Sequence, residues 1–89
     1  MYQIFRTGGF KKDYKKLSNT DKDLLKEVAT NLAFGNKLDI KYKDHKLVGN
    51  FVNCRECHIK PDLLLIYKID KNLLELALVR AGSHSKLFK

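Results

Sequence analysis

Tryptophan is absent, and proline, methionine and cysteine are scarce: one Pro, one Met and two Cys in 89 residues. Two thiols cannot build a disulfide framework, so the chain depends on a hydrophobic core, and the expected setting is the cytosol with both thiols reduced. Long apolar runs are missing too. The longest, Leu63 to Tyr67, has five residues, against the roughly 20 that a membrane-spanning helix needs. The first ten residues contain no apolar segment of secretory type, so neither export nor a membrane partner is expected. Acidic residues are few: 10 Asp and Glu stand against 18 Lys and Arg, for a net charge of +8. A surplus of this size in a short chain favours nucleic acid or an acidic protein as partner.

What is present suffices for one domain and no more. Apolar types make up 44% of the residues, which argues against disorder, and a domain of this size buries somewhat more than about 60% of its surface. No internal repeat or low-complexity tract is visible.

Residues 2–6 read as a short first strand, which Gly8 and Gly9 interrupt. Phe10, Tyr14 and Leu17 recur at helical spacing, with Lys11, Lys12, Lys15 and Lys16 on the solvated side. Ser18 and Asn19 end that helix. Thr20 is the expected N-cap of a second one, with Asp21 and Asp23 in its first turn. Its apolar stripe runs through Leu24, Leu25, Val28, Leu32 and Ala33 to Phe34, and Gly35 stops it. Residues 36–52 read as loop with a short strand near Leu47.

From Asn53 the period becomes two, so Cys54, Glu56 and His58 share one strand face and Arg55, Cys57 and Ile59 the other. Lys60-Pro61-Asp62 turns into Leu63–Tyr67, apolar on both faces and therefore central. Leu73 to Val79 is the last strand, with Arg80 at its end, and Gly82 to Ser85 leaves the sheet. The expected class is α+β, β-α-α-β-β-β, with two helices packed on one face of an antiparallel sheet.

Cys54-Arg55-Glu56-Cys57-His58 fits the C-x-x-C-H pattern of haem attachment. A spacing of three on a strand sends the two sulfurs to opposite faces, and Met1 is the only methionine available as an axial ligand. Haem is therefore rejected. Zinc wants four ligands, and nothing in the spacing of His45 and His58 completes the pair of thiols. No metal or cofactor is expected, and the cysteines read as small buried strand residues.

The three histidines carry more information. His45, His58 and His84 converge if the first and last strands of the meander come together, and Arg80 and Asp62 then join them. Glu56, two residues before His58 on the same face, is placed to orient its imidazole. Imidazoles, a guanidinium and a carboxylate suit phosphoryl transfer, supplying a proton acceptor, a proton donor and a fixed positive charge. Of the aromatics, Phe88 near the C-terminus is the candidate for stacking on a base.

Lys43-Asp44-His45, then His58-Ile59-Lys60-Pro61-Asp62, then Arg80-Ala81-Gly82-Ser83-His84 and the closing Lys86-Leu87-Phe88 together resemble the YafQ branch of the RelE/ParE toxin superfamily of bacterial type II toxin–antitoxin systems. The similarity is strongest from Tyr42 to Phe88, while the helical half matches in length and order. The resemblance implies the β-α-α-β-β-β fold, cleavage of mRNA, in the family usually within the ribosomal A site, and a cognate antitoxin that wraps the toxin. It puts the family's functional histidines on His45, His58 and His84, its acid on Asp62, its arginine on Arg80 and its terminal aromatic on Phe88. Some members have Trp after the aspartate where this chain has Leu63, so codon preference is not carried over.

RNA brings its own nucleophile. A base takes the 2′-hydroxyl proton, the oxygen attacks phosphorus, and an acid protonates the departing 5′-oxygen. His84 is assigned as the acid, His58 or His45 with Asp62 as the base, and Arg80 as the bidentate phosphoryl clamp that Lys cannot copy. Lys11, Lys12, Lys15, Lys16, Lys43 and Lys46 are the candidates for RNA contact. Two rivals are a gyrase-poisoning toxin of the same superfamily, which needs no acid–base set, and an RNA-binding module that leaves its ligand uncut.

Overall fold

The computed structural model describes residues 1–88. Strand β1 (Gln3–Arg6) leads into helices α1 (Gly8–Lys15) and α2 (Asn19–Ala33). Strands β2 (His45–Lys46), β3 (Arg55–Lys60), β4 (Leu63–Asp70) and β5 (Glu75–Gly82) follow, and a four-residue helix α3 (His84–Leu87) closes the chain. The α+β class and the β-α-α-β-β-β core are as expected, and the structure adds to that core the two-residue strand β2 and the terminal helix α3. The sheet has five strands in the order β1-β5-β4-β3-β2, antiparallel except where β1 runs parallel to β5.

Local chemistry explains the helix boundaries. The Thr7 side chain accepts from the Phe10 amide at 3.0 Å and starts α1. Ser18 starts α2 by accepting from the Asp21 amide at 3.1 Å. The cap is therefore Ser18 rather than Thr20, because Ser18 is the last residue with extended backbone and Thr20 is already inside the helix. Leu25, Val28, Ala29, Leu32 and Ala33 form the buried stripe of α2. Leu24 and Phe34 fall off it and remain exposed.

The apolar-on-both-faces pattern of β4 has a direct cause. Leu63, Leu65 and Tyr67 pack with Phe10, Leu25, Val28 and Leu32 under the helices. Leu64 and Ile66 face the other way into a second, smaller cluster with Leu87, flanked by Leu47, Phe51, Cys54, Val79 and Phe88. The second sheet face is thus covered by the loop before β3 and by the C-terminal segment. That loop is tied down at Asp44, which accepts from the Tyr67 hydroxyl at 2.5 Å and from Arg55 Nε at 3.2 Å. Burial, then the Asp44 bond, push the Tyr67 phenol up, so it stays a donor.

Strand β5 begins at Glu75, later than expected, because Leu73 and Leu74 are exposed turn residues and Leu74 is left-handed at φ 56°. The strand also runs on through Arg80 to Gly82, past the expected end at Val79. A bulge interrupts its pairing with β4: Ile66 pairs with Arg80 and Tyr67 with Leu78, which leaves Val79 as the extra residue. Strand β1 pairs with β5 only as far as Leu78. Beyond that point α1 takes over the edge. Thr7 N donates to the Leu78 carbonyl, Thr7 Oγ1 donates to the Val79 carbonyl at 2.6 Å, and the Ala81 amide donates to Asp13 Oδ2 at 3.0 Å. These contacts satisfy strand groups that have no neighbouring strand.

Among the described residues no helix is long and apolar enough to cross a membrane.

Leu65→Ala, at a fully buried position of the central strand, should lower unfolding free energy by about 2–5 kcal/mol in urea titrations. Asp13 generates a pH prediction. Burial raises its pKa, but the Arg80 hydrogen bond, the Ala81 amide and the Arg80 and Lys86 charges together bring it below the ordinary 3.8. The stability it contributes is therefore complete above that value and lost as pH falls through the lower native one. On acidification below about pH 4, the wild-type urea midpoint should fall more steeply than that of Asp13→Asn.

Candidate active site

The alternation read for β3 holds. Cys57 and Ile59 are buried in the helix-covered core, and Cys54 packs into the opposite cluster. The two sulfurs lie on opposite faces, and burial pushes the Cys57 thiol up to about 12, which leaves it unreactive.

Strand register assembles the site. Glu56 pairs with His45 on one side and Ile66 on the other, and Ile66 pairs with Arg80. His45, Glu56, Ile66 and Arg80 therefore form one row across the sheet. The next row holds His58, Leu64 and Gly82. Strands β3 and β5 do not adjoin, contrary to the expected convergence, because β4 lies between them. The polar residues instead share a face across the width of one strand.

Within this face Glu56 is the hub. It is 4% exposed, and its Oε1 lies 3.4 Å from His45 Nε2 and 3.7 Å from His58 Nε2. His45 is fixed from its other side, where Nδ1 donates to the Lys43 carbonyl at 2.7 Å. A carbonyl can only accept, so Nδ1 carries hydrogen and Nε2 is left to face Glu56. Lys43 adopts a left-handed backbone, φ 50°, unusual for a residue with a side chain. That turn, together with the Asp44 anchor on Tyr67 and Arg55, sets the position of His45.

Arg80 is held from the other end. Its Nε donates to Asp13 Oδ2 at 2.6 Å and its Nη2 to Oδ1 at 3.2 Å. His84 is exposed and opens α3 rather than lying in an irregular loop. Its ring packs on Phe88 with centroids 5.0 Å apart, and Phe88 meets Phe51 edge-on at 5.7 Å. Phe88 is half-buried against the second cluster, so it both contacts a candidate catalytic histidine and anchors the C-terminal segment.

Asp62 does not join this group. It sits on the exposed turn between β3 and β4, and makes no hydrogen bond or ion pair among the described residues. The carboxyl group beside the histidines is Glu56. Lys11, Lys12 and Lys15 are exposed on α1 and Lys16 at its C-cap, and Lys43 and Lys46 are exposed on either side of the Asp44-His45 pair. Two grooves carry lysines, and one of them reaches a histidine. One, of about 440 Å³, is lined by Lys41, Tyr42, Lys43, His58 and Lys60, and the other, of about 760 Å³, by Lys46, Cys54, Arg55, Lys68 and Lys71. Among the described residues no three His, Cys, Asp or Glu side chains are grouped to hold a metal ion.

Asp13 and Asp44 escaped the sequence reading. Asp13 carried a signal nonetheless: it lies three residues after Phe10, on the apolar stripe of α1, where an acid needs a partner. Asp44 had none, since its two partners are 11 and 23 residues away.

Comparison with known proteins adds a family to this geometry. Residues 2–89 match the family described as bacterial toxin of type II toxin–antitoxin system, YafQ. The mRNA interferase toxin YafQ of Escherichia coli K12 is 38% identical over 86 residues, covering 92% of this chain and 90% of that one. A metal-bound toxin from Helicobacter pylori superposes with a TM-score of 0.90 at 50% identity, over 99% of this chain and all of that one. The toxin in the E. coli DinJ–YafQ complex superposes with a TM-score of 0.84 at 32% identity over the full length of both chains. With nearly every residue matched, this chain belongs to the YafQ family of bacterial type II toxins.

Proposed function

We propose that this chain is the toxin of a type II toxin–antitoxin pair and an endoribonuclease that cuts mRNA by acid–base catalysis. The observation that carries the reading is the row of His45, Glu56 and Arg80, with His58 beside it in contact with the same carboxyl group. Paired imidazoles on a buried acid, in register with a guanidinium, suit a ribose-assisted phosphodiester cleavage, which needs a proton acceptor, a proton donor and a fixed positive charge. Three of the four residues belong to the motifs of the family resemblance. The mRNA interferase activity named for the E. coli relative points the same way.

In this reading the 2′-hydroxyl gives its proton to His45 or His58, and the 2′-oxygen bonds to phosphorus. A proton arriving at either Nε2 lands within 3.4–3.7 Å of Glu56 Oε1, which is placed to accept a hydrogen bond from it. Arg80 stabilises charge on the non-bridging oxygens. The bond to the 5′-oxygen breaks, and His84 supplies its proton. The products are a 2′,3′-cyclic phosphate and a 5′-hydroxyl. Glu56 keeps the orienting role expected of it at His58 and extends it to His45, while Asp62, expected to act with a histidine as the base, is left to meet the RNA from the hairpin turn. The groove that holds His58 with Lys41, Lys43 and Lys60, and the second one that holds Lys46, Lys68 and Lys71, offer the strand cationic contacts. Phe88, held edge-on by Phe51 and in tilted contact with His84, offers a face to a base. The partners are mRNA, carried on the ribosome, and a cognate antitoxin, in line with the DinJ-bound relative.

The test is cleavage of a defined mRNA by purified protein, with and without ribosomes, followed by end-group analysis. His84→Ala and Arg80→Ala should each lose about 10²–10⁴-fold in cleavage rate while keeping antitoxin binding. Full cleavage by both variants sinks the assignment. Inhibition of DNA supercoiling without RNA cleavage selects the gyrase-poison reading, and binding without cleavage selects the non-catalytic module. In the same assay, Lys46→Ala and Lys68→Ala should each lower the slope of log affinity against log salt by about one, uniformly across RNA sequences.

A further inference from the structure

We infer that the first turns of α1 form a cradle that positions Arg80 for the scissile phosphate, with Asp13 and Gly9 as the positioning residues; the inference rests on the nuclease reading above. Three observations converge on it. Asp13 is 6% exposed, on a helix otherwise rich in solvated lysines, and it grips the guanidinium through two parallel hydrogen bonds. An acid is costly to bury unless it is fully engaged, and among the described residues this one takes its hydrogen bonds from Arg80 and the Ala81 amide.

The second observation is Gly9. A Cβ built there would lie 2.9 Å from Arg80 Cδ and 3.5 Å from Nε. Gly9 and Asp13 are four residues apart and so face the same way on the helix. One makes room for the arginine stem, and the other holds its head.

The third is the bulge in β5. Bulges re-aim side chains, and they are frequent next to active sites. The extra residue, Val79, immediately precedes Arg80, and its carbonyl is fastened by the Thr7 hydroxyl, while the Ala81 amide after it is fastened by Asp13. The backbone on both sides of Arg80 is therefore pinned by the same helix that holds its side chain.

The geometry leaves the right atoms free. Of the five N–H groups of a guanidinium, Asp13 takes one on Nε and one on Nη2, so the Nη1 edge remains for an anionic oxygen. The Arg80 side chain is 34% exposed while Asp13 is sunk beneath it. Substrate thus meets the cation and not the acid. An arginine held this way needs no reordering when phosphate arrives, the kind of preorganisation whose loss costs up to about 10²-fold when a group shifts by an ångström.

The experiment compares wild type, Asp13→Asn, Gly9→Ala and Arg80→Ala, and each positioning variant combined with Arg80→Ala. Cleavage is measured under single-turnover conditions at high toxin concentration. Binding is measured with an RNA carrying 2′-deoxyribose at the cut position. The Arg80 Nε–H resonance is followed by NMR. Asp13→Asn should lower the cleavage rate at saturation at least about tenfold, with binding changed much less, and should add nothing in the Arg80→Ala background. Gly9→Ala should cut more slowly although its unfolding midpoint is unchanged or higher, since alanine is the better helix residue. In both single variants the Arg80 Nε–H signal should lose its protection from solvent exchange.

Wild-type cleavage with equal losses from Asp13→Asn whether or not Arg80 is present overturns the cradle alone. So does full activity in a folded Asp13→Asn and in Gly9→Ala. Failure of the wild type to cut RNA, with or without ribosomes, overturns the nuclease reading and the cradle's purpose with it, whatever the Arg80 signal reports.

Discussion

The pairing of β3 with β4 is the constraint on which the site depends. Side chains alternate along a strand, so a slip of one residue would carry Glu56 and His58 into the helix-covered core and turn Cys57 and Ile59 out. The register is held from both sides. Cys57 and Leu65 pair within the core, while Glu56 and His58 pair with Ile66 and Leu64 on the opposite face. The polar residues are thus aimed by the apolar ones between them. The same alternation lets an acid at position 56 be buried, because two imidazoles arrive there from neighbouring positions. Among the described residues no buried side-chain nitrogen or oxygen lacks a hydrogen-bond partner.

The site face is assembled late in the chain and from segments with little regular structure. His45 comes from a two-residue strand behind a left-handed lysine, and His84 and Phe88 from a four-residue helix and its cap. Neither segment would hold its shape alone. Leu47, Phe51 and Leu87 fold both of them down onto Leu64 and Ile66. The small second cluster is therefore what turns three scattered histidines into neighbours of one sheet face. Phe88 shows the compromise, since the ring that packs on His84 also closes this cluster.

Much of this was legible from residue order. The apolar stripe of α2, the two-faced apolarity of β4 and the alternation of β3 are local patterns, and each predicts its element and its buried face. The opposed sulfurs of Cys54 and Cys57 follow from counting along a strand. Errors arose where capping or edges decided the outcome. Ser18 displaced Thr20 because a cap is defined by the last extended residue, which composition does not reveal. Strand β5 outran its expected end because Thr7 and Asp13, about 70 residues away, satisfy its edge as a neighbouring strand would.

Sequence alone nominated the candidates for the chemistry, His45, His58, His84, Arg80 and a carboxylate near them, together with the cationic surplus that suits RNA. These choices are written in residue type and motif. Tertiary structure decided which carboxylate stands with which base. Asp62 was the acid favoured by motif, yet it lies on an exposed turn, while Glu56 sits between two imidazoles and Asp13 reaches Arg80 from another element. A carboxyl group acts over hydrogen-bond distances of about 3 Å, and which groups come that close is set by strand register, a bulge and helix placement. None of these is a property of neighbouring residues in the chain.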